Sequence, residues 1–136
     1  MNTTQTATTA TSSQPSKLAK IGLWSLQILG AAAFLAAGGF KLAGAPMMVQ
    51  IFDQIGIGQW FRLLTGVVEV VGGVLLLIPR LAGLGGLLLA VTMVFATGTH
   101  LFVIGGNPAP AIVLLLITST VAWARRSQLA ALAGRR

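Results

Sequence analysis

GVVEVVGGVLLLIPR, residues 66–80, sets a single acid, Glu69, among valines, leucines and paired glycines. With the residues before it, the stretch belongs to an apolar run over 59–78, about 20 residues, which is the length an α-helix needs to cross a bilayer core. Pro79 cannot continue a helix, and Arg80 belongs at a polar boundary, so the run ends where a crossing should end. A charged group in mid-crossing costs about 2.5–3.5 kcal/mol on insertion scales. Glu69 therefore needs either a proton or a partner, and the rest of the chain is read for both.

The same pattern recurs at 21–40, 81–104 and 109–124, the last being the shortest. The composition agrees: 55% of the 136 residues are hydrophobic and 8% are charged, and the mean hydropathy is +0.88. These values are those of a membrane protein. The expected fold is all-α, an integral membrane four-helix bundle, antiparallel and up-down, because the connections at 79–80 and 105–110 are too short for other neighbours. The opening MNTTQTATTATSSQPS offers no apolar face to repay ordering. Residues 1–16 are thus expected to form a disordered tail, 17–126 the transmembrane domain and 127–136 a short basic C-terminal tail.

The formal net charge of +7 comes from nine cations and two acids. The cations stand singly or in pairs at the ends of apolar runs, which fits membrane orientation and not a nucleic-acid surface. Lys17, Lys20, Arg80, Arg125, Arg126, Arg135 and Arg136 fall on one side, and Lys41 and Arg62 on the other. Both termini are therefore expected in the cytoplasm, with the protein multi-pass in the inner (cytoplasmic) membrane.

Residues 46–57 place Met47, Met48, Ile51, Phe52 and Ile55 opposite Gln50, Asp53 and Gln54 at helical spacing, an amphipathic segment after the first helix. It reads either as an interfacial connector or as a lid, with Trp60 and Phe61 marking the entry of the next helix. Small residues show where helices approach, since lipid gives them no hydrophobic reason to associate. Such stripes run through Gly30, Ala33, Ala37, Lys41 and Gly44, through Gly66, Glu69 and Gly73, and through Ala82, Gly86 and Ala90.

Lys41 and Glu69 therefore point inward. Lys41 either snorkels to headgroups or reaches toward Glu69, which by residue count lies roughly 10 Å deeper. Glu69 is either a protonated carboxyl bonded to Thr65 or a neighbouring helix, or a functional proton acceptor. His100, the one histidine, sits near the outer end of the third helix. It accepts a proton, bonds a ligand carbonyl or satisfies a helix-end carbonyl. No cysteine is present, and one histidine with two acids gives too few ligands for a closed metal site. No intrinsic cofactor or metal is expected. GxGxxG and GxxxxGK[ST] are also lacking, and the glycines from Gly83 read as helix packing.

AAGGFKLAGAP at 36–46, FDQIGIGQWFRLLTGVVEVVGGVLLLIPR at 52–80 and ATGTHLFV at 96–103 together resemble the DoxX-like family of small four-helix membrane proteins. The resemblance implies an accessory membrane subunit that anchors a redox partner, because the family's named activity belongs to a membrane subunit of a thiosulfate:quinone oxidoreductase. It implies a quinone or small lipophilic ligand in an outward-opening polar pocket. Catalytic roles would fall to Glu69 and His100, with ligand binding by Lys41, Glu69 and His100. It also implies a protein partner in a membrane complex, with a homo-oligomer left open. Without cysteine, any persulfide intermediate would reside on that partner. The alternative is a non-catalytic assembly or anchoring factor. A small-solute carrier ranks third, since no inverted repeat or matching pair of broken helices is evident.

Overall fold

The computed structural model describes residues 16–134, all-helical, with no strand among them. The expected N-terminal tail, apart from Ser16, lies outside the described residues. The first helix, α1 (Lys17–Ala43), begins where the Ser16 hydroxyl accepts the Ala19 N–H at 3.1 Å. At 27 residues it is about 40 Å long, more than a bilayer core requires. It ends at Gly44, whose φ of 72° suits a residue with no Cβ and turns the chain for closing bonds to Lys41 and Phe40.

Pro46 occupies the first turn of α2 (Pro46–Ile55). This helix buries Phe52 and leaves Met47 67% exposed, so of the apolar residues read on one face Phe52 is the one packed inside the fold. Next come α3 (Gln59–Leu77) and α4 (Ala82–Thr99), the latter continued by a π-helical turn over His100–Ile104. The Asn107 side chain accepts the Ala109 N–H at 3.0 Å at the head of α5 (Ala109–Ala124). The segment expected to be a basic tail carries a short helix, α6 (Arg126–Leu132), bent 64° from α5.

Helices α1, α3 and α4 with its extension are each long and apolar enough to cross a membrane, and α5 with α6 makes a fourth candidate if the bent pair counts as one span. Their outer faces carry exposed Ile28, Leu29, Val67, Val71, Val94, Phe95 and Leu116, as lipid contact demands. The interior centres on Phe34, Leu76, Leu89 and Val121, all fully buried.

Glycines set the approach of these helices. A Cβ on Gly38 would lie 2.8 Å from Val70 Cγ2 and 2.9 Å from the Gly66 carbonyl, so α1 and α3 touch backbone to backbone there. A Cβ on Gly85 would meet the Gly72 carbonyl at 2.9 Å, and one on Gly86 the Ala122 nitrogen at the same distance. Thus α3, α4 and α5 are joined in the same way. The small residues that matter are not all those picked by spacing. Gly38 makes the closest contact on α1, and on α4 Gly83, whose added Cβ would lie 2.7 Å from the Arg125 carbonyl, and Gly85 do so, whereas Ala33 and Ala37 are only half-buried.

Candidate functional site

The C-terminal end of α1 meets the N-terminal half of α3, and at that junction Lys41 Nζ donates to Glu69 Oε2 at 2.9 Å. The lysine side chain is 14% exposed and the glutamate 5%. The depth difference read from sequence does not separate them, because close packing brings Lys41 level with Gly66. A Cβ on Gly66 would lie 3.1 Å from the Lys41 Cβ. Glu69 is then three residues, about 4.5 Å, further down α3, within reach of a lysine stem. Glycine at 66 therefore does two things: it lets α1 in, and it sets the lysine one turn above its partner.

The pair continues upward as a polar chain. Arg62 donates through Nη1 to the Lys41 carbonyl, one of the α1 carbonyls near the helix end, and through Nε to Gln59 Oε1 at 2.7 Å. Gln59 Nε2 donates to Asp53 Oδ1 at 2.7 Å and to the Val49 carbonyl at 3.0 Å. Three side chains and two backbone carbonyls thus tie α1, α2 and α3 together above Glu69. The Phe52 and Phe61 rings, 5.8 Å apart and edge to face, close the same corner. Thr65, which sequence reasoning offered as a partner for Glu69, donates instead to the Phe61 and Arg62 carbonyls of its own helix.

His100 does not join the pair by any hydrogen bond among the described residues. Its Nδ1 lies 3.2 Å from the Gly105 carbonyl, closing the loop after the π-helical turn. The turn itself packs against α2, so the histidine's segment and the network share a neighbour without sharing a bond. Two surface grooves, one between α1 and α5 and one beside Pro79 and Gln128, are lined by none of Lys41, Glu69 or His100.

A second polar cluster sits at the opposite end of the helices. Gln27, fully buried in α1, donates to the Leu76 carbonyl at 2.9 Å, one of the last carbonyls of α3 and without a helical partner because the helix stops at Leu77. Its Oε1 accepts from Arg125 Nε and Nη2 at 3.1 and 3.0 Å. Gln128 of α6 accepts the Gly83 N–H at 2.9 Å and donates to the Pro79 carbonyl at 2.6 Å. Two glutamines thereby satisfy the α3 to α4 connection from outside it. Sequence reasoning passed over Gln27, although a lone glutamine inside a run expected to span is itself a signal.

Among the described residues no group of three His, Cys, Asp or Glu side chains converges. The chain has no significant match among curated proteins or solved structures. A family model does match, over residues 25–125, a range that begins just before Gln27, contains the Lys41–Glu69 pair and ends at Arg125. With most of its length covered by that match, the chain belongs to the DoxX-like family.

Proposed function

We propose that this protein is an accessory membrane subunit that anchors a redox partner and is not catalytic on its own. In this reading α1, α3, α4 and α5 cross the inner membrane up and down, with both termini in the cytoplasm. At 16 residues α5 is about 24 Å long, and a few ångströms of mismatch with the hydrocarbon core cost only a modest amount. One observation carries the proposal: Glu69 is buried and bonded to the part-buried Lys41 within the fold, and Arg62, Gln59 and Asp53 continue from the Lys41 carbonyl to α2. Groups already bonded to each other fix helices in place, and a fixed platform is what an anchoring subunit supplies. The redox character of the partner rests on family membership.

A second reading makes the pair a site for a quinone or similar lipophilic carbonyl compound, with Glu69 and His100 handling protons and Lys41 orienting the ligand. It is favoured by the asymmetry of exposure, since the ammonium end of the pair is the more open one. A quinone entering there would accept a hydrogen bond from Lys41 and displace Glu69, which a membrane acid freed in this way could answer by carrying a proton.

Replacing both charged residues at once separates the two. Buried ion pairs exchanged for apolar residues of similar volume often leave a fold as stable as before. If the pair is a structural lock, the Lys41→Met, Glu69→Leu double variant assembles with its partner and the complex keeps its turnover. If it is a ligand site, the double variant assembles but loses quinone-linked turnover, and the anchoring reading of the pair fails.

A further inference from the structure

We infer that the groove between α1 and α5, at the end of the helices opposite the Lys41–Glu69 pair, binds the headgroup of an anionic phospholipid. The groove has a volume of about 440 Å³ and is lined by Lys20, Leu23, Trp24, Leu26, Thr120 and Arg125, among others. Its lining is divided: the exposed Lys20 and the guanidinium of Arg125 supply positive charge, while the half-buried Leu23, Trp24 and Leu26 supply apolar surface. An anionic lipid has the same division, with a phosphodiester at the level of the cations and an acyl chain along the leucines.

The charges are available because the chain cannot neutralise them itself. Its only acidic side chains are Asp53 and Glu69. Both are engaged in the other polar cluster, Glu69 with Lys41 and Asp53 with Gln59. Arg125 is held, not free to wander: Nε and Nη2 grip Gln27, and the guanidinium lies 5.9 Å from the centre of the Trp24 ring. Its remaining nitrogen, Nη1, has no protein acceptor among the described residues, which leaves a donor on a held guanidinium of a residue that lines the groove. Trp24 suits an interface in which one edge is apolar and the other wet. The inference uses only the bilayer crossing of α1 and α5, and it stands or falls apart from any role of the Lys41–Glu69 pair.

The test uses the full-length protein purified in a non-ionic detergent, with melting temperature and native mass spectrometry read after adding phosphatidylglycerol, phosphatidylcholine, or inorganic phosphate alone. Phosphatidylglycerol should bind in preference to phosphatidylcholine, and phosphate alone should not substitute for it. Lys20→Gln, at an exposed position that leaves the Gln27–Arg125 contact intact, should lower that preference about fivefold, the effect of one basic group at an anionic surface. Lys17→Gln removes the same charge one turn away and outside the groove, and should change it far less. Arg125→Lys keeps the charge but loses the fork, and should also weaken the preference. Equal losses in Lys20→Gln and Lys17→Gln would reveal only diffuse surface attraction and overturn the proposal, as would equal binding of the two lipids or full replacement by phosphate.

Discussion

Lys41 and Glu69 stand 28 positions apart in sequence and 2.9 Å apart in space, and they form the one ion pair among the described residues. Removing one member leaves the other's charge uncompensated in a low-dielectric interior. Lys41→Met should therefore cost about 3 kcal/mol of bundle stability. Glu69→Gln should cost less, because the amide oxygen still accepts from the lysine. The double variant Lys41→Met, Glu69→Gln should recover part of the sum, with a coupling energy above about 1 kcal/mol in reversible unfolding from mixed micelles. Additive losses would mean that the contact contributes nothing to holding α1 against α3.

Gly38 and Gly39 provide an internal comparison one residue apart. Alanine at 38 would press into Val70 and the Gly66 carbonyl, a backbone atom that cannot swing aside, whereas alanine at 39 meets nothing within 4 Å. Gly38→Ala should lower stability by about 1–3 kcal/mol through forced separation of α1 and α3. Gly39→Ala should be neutral or gain up to about 1 kcal/mol from helix propensity. Because Lys41 follows Gly38 by one turn, separation there should also weaken the Lys41–Glu69 coupling. If both alanines behave alike in the unfolding assay, close packing at Gly38 is not what joins these helices.

Hydropathy, Pro79 and the short connection at 105–110 made the helices legible, since crossing length and helix termination are local properties. The inward direction of Lys41 and Glu69 was also legible, from the small residues on their faces. Their contact was not, because it depends on the relative shift of α1 and α3. That shift is set by glycines at 38 and 66 whose importance appears only when two backbones meet. The continuation through Arg62, Gln59 and Asp53 was hidden for a related reason: each was read with its own segment, Asp53 on the polar face of an amphipathic stretch, Gln59 at the start of a run and Arg62 as an orienting charge, while their bonds run between residues of different roles. Helix α6 was missed because Arg126 and the arginines at the end of the chain made the segment look like a solvated tail. Gln128, the residue that ties it back to Pro79 and Gly83, has no local pattern that marks it.

The excess of basic residues at one end predicts orientation. Lys17, Lys20, Arg80, Arg125 and Arg126 lie together at the end where Gln128 reaches Pro79, opposite Lys41 and Arg62. Reporter fusions after residue 136 and within the loop at Asn107 should therefore report the cytoplasm and the outside, respectively. A C-terminal fusion reporting the outside, or two fusions reporting the same side, would overturn the crossing of α5.

His100 tests whether the pair and the histidine act as one site. Its Nδ1 is engaged by the Gly105 carbonyl at 3.2 Å, and Gly105 itself takes a φ of 69°, so the ring and the loop after it hold each other in place. Loss of the ring in His100→Ala should loosen that loop without reaching Glu69, since no hydrogen bond links them among the described residues. Combined with Glu69→Gln, its effect on stability should add within about 0.5 kcal/mol, as it does for sites that share no partner. His100→Asn, which keeps a polar group able to bond near the loop, should restore part of the loss if the Gly105 contact is the cause. A coupling clearly beyond that margin would instead unite His100 with Lys41 and Glu69, through α2 or a ligand between them, and would favour the quinone site over the structural lock.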